Sequence, residues 1–114
     1  MTLSLKTRDS GGIAIIDLQG KLVLGDECNA LREQVKALLA ANQKKIVLNL
    51  GEVSFIDSAG VGTLVASFTS AKAQEGEMKM ANLTKKFKET LQITRLLTVF
   101  EVYESEAEAV ASFR

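Results

Sequence analysis

A chain of 114 residues, 46% hydrophobic and 25% charged, has the balance of an ordinary folded protein with room for one core. Lys plus Arg equals Asp plus Glu at 14 each, and there is no Trp, one Tyr and five Phe; no net positive charge draws in phosphate backbones and few rings can stack on bases, so nucleic acid is not an expected partner. Histidine is absent, which excludes a Ser-His-Asp triad, a Cys-His pair and imidazole metal ligands, and no residue is assigned a catalytic, metal or cofactor role.

The lone Cys28 cannot close an internal disulfide, which fits a reducing compartment. "MTLSLKTRDSGG" lacks the apolar core of a signal peptide, and no apolar run approaches the ~20 residues of a membrane span. A cytoplasmic location is expected. Leu3 and Leu5 alternate with polar neighbours, Arg8 to Gly12 supplies turn residues, and Ile13–Leu22 is β-branched and apolar, which predicts a β-hairpin. In "GDECNALREQVKALLAAN", Cys28, Leu31, Val35, Leu38 and Leu39 share one helical face, with Asp26 as the expected N-cap and Asn42 as the stop. Cys28 is expected to be buried and inert.

"KKIVLNL" (Lys44 to Leu50) reads as a strand buried on both faces. Val61, Leu64, Val65 and Phe68 then repeat at helical spacing, and Gly76 is the expected C-terminal glycine of that helix. "EMKMANL" predicts a strand with Met78 and Met80 in the core, "TKKFKETLQITRLL" a helix with Phe87 and Leu91 inward, and "TVFEVYES" a last strand. Ser105 and Glu108 form a capping box ahead of a short final helix. The order ββαβαβαβα predicts an α/β fold over residues 1–114 as one domain, with a mixed, mostly parallel sheet and about four helices.

The junction "SFIDSAGVGTLVASF" holds the sequence's one concentrated motif. It is not a dinucleotide fingerprint, because Val65 stands where the third glycine belongs, nor a P-loop, because no Gly-Lys-Ser/Thr follows. It is not a hydrolytic elbow, since Ile56 sits two before Ser58 and no histidine base exists. A helix cap from Asp57 or Ser58 explains the motif minimally. A phosphoryl group on Ser58 would be tolerated at the positive helix end, while its charge of about −1.5 to −2 would disturb a docked partner. Ser54, Thr63 and Ser67 are further hydroxyls with nothing in their favour. Lys85, Lys86 and Lys88 read as a solvated face, and Glu52 with Asp57 as a carboxylate pair of no evident chemistry.

"FIDSAGVGTLVASF" after "KKIVLNL" resembles the signature of STAS domains, in particular bacterial anti-sigma factor antagonists. "LQGKLV", "ALREQVKALL" and "MKMANL" extend the likeness along essentially the whole chain. The resemblance implies a STAS-like fold and a non-enzymatic binding protein that engages an anti-sigma factor with serine kinase activity. Phosphorylation at the position of Ser58 switches such a protein off, and a serine phosphatase resets it. Carried over by position, Asp57 orients the loop and joins the docking surface, Gly60 and Gly62 admit a partner's backbone, and Ala59, Val61 and Thr63 line the contact. One departure is Val23, after Gly20-Lys21-Leu22, where many members carry an acidic residue. It sustains a second expectation, a phosphorylation-independent scaffold or subunit of a stress-signalling or lipid-transport complex in which Ser58 is only a cap. The sequence sets no oligomeric state.

Overall fold

The expected N-terminal hairpin is present in the computed structural model, which describes residues 2–93, 95 and 99–113. β1 (Leu3–Ser10) pairs antiparallel with β2 (Ile13–Leu22). There follow α1 (Asp26–Ala40), β3 (Lys45–Ile56), α2 (Ser58–Ala73), β4 (Glu77–Ala81), α3 (Lys85–Ile93), β5 (Glu101–Tyr103) and α4 (Glu106–Ala111). Among the described residues the strands form one sheet in the order β1-β2-β3-β4-β5, with β2 to β5 parallel. The predicted element order and mixed α/β class both hold.

Alternation along the strands divides the sheet between two apolar clusters. Ile16, Leu18 and Leu22 of β2, Ile46, Leu48 and Leu50 of β3, and Met78 and Met80 of β4 pack with Leu31, Val35, Leu64, Phe87 and Leu91 of α1 to α3. Ile13, Ile15, Val47 and Ala81 point the other way and pack with Ala109 of α4. Both faces being covered at the centre, β2 and β3 read as near-continuous apolar runs. Cys28 is buried in the larger cluster.

Some boundaries differ from the expectations. Asp26 is not the N-cap of α1: Gly25 occupies that position at φ 113° and no side chain caps the helix, so Asp26 and Glu27 instead place negative charge in the first turn. Asn42 ends α1 as expected, at φ 65°, with the Gln43 amide donating to Leu38 O at 2.8 Å. At the end of α2 the left-handed residue is Glu75, at φ 61°, not Gly76. The Gly76 amide closes the turn onto Ala71 O at 2.7 Å, and a Cβ there would lie 2.9 Å from Lys44 O. Close packing, rather than backbone handedness, therefore requires that glycine. The last strand is short, Glu101–Tyr103; Thr94 and 96–98, which the expected helix and strand included, lie outside the described residues.

β3 runs six residues past the apolar "KKIVLNL". Register shifts between Asp17 and Gln19 and between Gly20 and Lys21 let β2 keep pairing with it as far as Leu22 and Ile56. That extension delivers the chain to the Asp57 junction beside the end of β2.

Candidate docking surface around Ser58

Asp57 is the residue that builds the junction. Its backbone is extended (φ −101°, ψ −177°), and its Oδ1 accepts from the Gly60 amide at 2.8 Å, capping α2. Oδ2 accepts from the Leu24 amide at 3.0 Å, and the Asp57 amide itself donates to Leu22 O at 3.3 Å. One carboxylate thus fastens the start of α2 to the loop between β2 and α1. The Leu24 amide first, and the Gly60 amide second, hold this carboxyl below its usual pKa. With both oxygens so engaged, Asp57 shares no described hydrogen bond with Glu52.

Ser58 is left free by that arrangement. It is the first residue of α2, exposed, and among the described residues its hydroxyl has no hydrogen-bond partner. The two glycines separate in the same way. A Cβ on Gly60 would lie 2.3 Å from Leu22 O and 2.7 Å from Ile56 Cγ1, so this residue permits the helix to press against the end of β2. A Cβ on Gly62 would meet nothing within 4 Å. Gly60 faces the protein's own backbone, and Gly62 faces open space.

The remaining sequence-derived site residues spread from surface to interior. Ala59 is half-buried and Val61 is buried at 8% exposure. Thr63 is wholly buried, its hydroxyl donating to Ala59 O at 2.9 Å, and presents nothing to a partner in this conformation. Ser67 is likewise buried. Ser54 is exposed and donates to Gly20 O at 3.2 Å. Lys88 pairs with Glu104 at 3.0 Å, as a solvated helix face would.

Ser58 opens onto a concave surface of about 530 Å³ shared by Ile56, Val61, Gly62 and Val65, and closed on the far side by Thr90 of α3. A second depression shares Ile56 and Thr90 and continues over Phe55, Lys86 and Phe87. Phe55 is 45% exposed, with Lys86 Nζ 5.9 Å from its ring centroid, and Leu24, held by Asp57, is 77% exposed. Leu24 and Phe55 thus hold large apolar side chains in water near a hydroxyl that has no hydrogen-bond partner among the described residues. Sequence reasoning missed Leu24, Phe55 and Thr90. Leu24 lies two residues beyond the predicted strand, but only the fold brings α3 to the motif.

Residues 4–109 match the STAS domain family. The anti-sigma-B factor antagonist of Listeria monocytogenes is 30% identical over 112 residues, covering 95% of this chain and 93% of the relative. In fold, the chain is similar to an anti-sigma factor antagonist from Mycobacterium paratuberculosis, with TM-score 0.83 and 19% identity over 96% of this chain and 92% of the other. It is also similar to the Bacillus cell fate determinant SpoIIAA in its phosphorylated form, with TM-score 0.74 and 20% identity over 97% and 100% of the two chains.

Proposed function

The chain belongs to the STAS domain family, and on that premise we propose that it is an anti-sigma factor antagonist switched by phosphorylation of Ser58. Unmodified, it binds an anti-sigma factor that is also a serine kinase, in the bacterial cytoplasm, and so releases a sigma factor. Phosphorylation by that kinase ends the complex, and a serine phosphatase restores it. The protein itself catalyses nothing. The Listeria monocytogenes relative, matched over 93% of its length, is an anti-sigma-B factor antagonist, and the fold neighbour SpoIIAA is seen in a phosphorylated form; both support this reading.

One observation carries it: Ser58 is exposed on a largely apolar concave surface and among the described residues its hydroxyl has no hydrogen-bond partner, while Asp57 does the capping. A phosphoryl group there would bring about −1.5 to −2 charge onto a surface whose partner must be apolar. At the amino end of α2 that charge meets the positive helix terminus, so the domain tolerates it while the complex does not. Asp57, Ser58, Ala59, Val61 and Gly62 form the proposed contact, with Leu24 and Phe55 at its margin.

The test is affinity capture from native lysate with Ser58→Ala and Ser58→Asp baits in parallel. A kinase-like ATPase enriched on the alanine bait and lost on the aspartate bait is the expected result. Equal recovery of the same partner on both baits would overturn the switch and leave the phosphorylation-independent scaffold in its place.

A further inference from the structure

The helices among the described residues begin in two different ways. α1 and α4 carry acidic residues in their first turns, Asp26 and Glu27 in one and Glu106 and Glu108 in the other, as the positive end of a helix favours. α2 and α3, which flank the Ser58 surface, carry none, and α3 opens on Lys85 and Lys86. A cation at an amino end works against the helix dipole, so α3 gives up stability there and is better served when a negative charge arrives.

The fold brings that end of α3 to Ser58. β3 and β4 are parallel neighbours, and α2 and α3 each start just beyond the carboxyl end of the strand before them, so both amino ends lie at one edge of the sheet. The Ser58 surface and the depression over Phe55 share Ile56 and Thr90, and Lys86 lines the second of them, one helical turn before Thr90. Among the described residues, only two charged side chains line either depression, Asp57 in the first and Lys86 in the second. Both oxygens of Asp57 are taken up by the Leu24 and Gly60 amides. Lys86 makes no ion pair among the described residues, and its ammonium stands 5.9 Å from the Phe55 ring centroid. Lys21, Glu52, Lys85 and Glu89 sit on neighbouring elements but line neither depression, and Lys88 is paired with Glu104.

Granted the phosphorylation of Ser58 proposed above, on which this rests, we infer that Lys86 receives the phosphoryl group across the groove between α2 and α3 and turns it into a cover. The ammonium leaves the Phe55 ring for the phosphate oxygens, exchanging a weak ring contact for charge-assisted hydrogen bonds. Its flexible four-carbon stem then lies over Ile56 and Thr90, where the two depressions meet. The modified protein thus loses part of its apolar surface to its own side chain, in addition to the repulsion that the new charge exerts.

The experiment installs phosphoserine at position 58 during synthesis of the whole chain, so neither a kinase nor a partner is needed. Phosphorus resonance then follows the second ionisation of that phosphate, which falls at about pH 6 when unperturbed. A cation at the phosphate favours its dianion, so Lys86→Met should lower the second acidity constant at least about threefold. Lys86→Arg should keep the wild-type value. Lys85→Met and Lys21→Met, whose charges act through water, should change it by no more than about 1.5-fold. Phosphorylation should also raise the unfolding temperature of the wild type more than that of Lys86→Met. Without the phosphate, Lys86→Met should melt no lower than the wild type, since it removes a cation from the amino end of α3. An acidity constant equal in wild type and Lys86→Met, or lowered as much by Lys85→Met or Lys21→Met, would overturn the inference. Equal capture on the two Ser58 baits counts against the switch, whereas an unmoved phosphate here counts against Lys86 alone.

Discussion

The inner and outer sides of the first turns of α2 carry the same kinds of residue and do opposite work. On the inner side Gly60 lies against the Leu22 carbonyl and Thr63 is sealed into the core, its hydroxyl bonded to Ala59 O. On the outer side Gly62 borders open space and Ser58 has no described bond. Each side thus has one glycine and one hydroxyl, and only the inner pair is fixed by packing. The Asp-Ser-x-Gly-x-Gly motif is therefore two sets interleaved at helical spacing. Asp57 and Gly60 build the junction, while Ser58 and Gly62 are presented by it.

That division makes the two glycines separable by one substitution each. Gly60→Ala should cost about 2–3 kcal/mol, because besides Ile56 the new methyl meets the Leu22 backbone carbonyl, which cannot turn aside as a side chain could. Gly62→Ala should instead stabilise by about 0.5–1 kcal/mol, as alanine does in an exposed helix position free of contacts. Urea unfolding of the two variants gives opposite signs if the division is right. Destabilisation by both would erase it.

Acid unfolding sharpens the same comparison from the side of Asp57. Its carboxyl sits below its usual pKa because the Leu24 and Gly60 amides donate to it. Glu27 is lowered from 4.5 to about 2, chiefly by the Thr2 amide and then by the Thr2 hydroxyl. A depressed carboxyl contributes stability that is present above its unfolded value and lost as pH falls through its folded one. Stability should accordingly drop between about pH 4.5 and pH 2. Thermal melts of Asp57→Asn should start lower at neutral pH and fall less steeply across that window than those of the wild type.

The smallest effect is expected at a charged cluster remote from the motif. Arg8 holds Asp17 at 2.6 Å and also pairs with Glu106 of α4, but its side chain is 43% exposed. The guanidinium bonds lower the Asp17 carboxyl first, aided by Asn49. Such a surface network is screened by water, so Arg8→Ala should cost less than about 1 kcal/mol and leave partner capture unchanged. A larger loss would mean that α4 depends on this pair more than on Ala109 and its apolar neighbours.

Much of this was legible in the residues. Apolar runs at period two and at helical spacing gave the element order, and Met78, Met80, Phe87 and Leu91 went where the pattern sent them. Capping was half-legible. Ser105 accepts from the Glu108 amide as its spacing predicts, whereas Asp26 yields its expected place to Gly25, whose backbone leaves no side-chain cap. A polar residue near a helix start is visible in sequence, but the φ of its neighbour is not. The length of β3 escaped because "GEVSF" is mixed in character and stays in the sheet through register shifts in β2, a tertiary effect. The margin of the proposed docking surface escaped for a similar reason, since Phe55 and Thr90 are 35 residues apart and meet only through the fold.

The most direct measurement is Ser58→Asp, with thermal unfolding and affinity for the captured partner determined on the same preparation. A presented serine predicts an unfolding temperature equal to or slightly above wild type, because the new charge lies at the positive end of α2, together with binding weakened by more than about 1 kcal/mol. Full-strength binding, or a fall in stability large enough to explain the lost binding, would contradict the account.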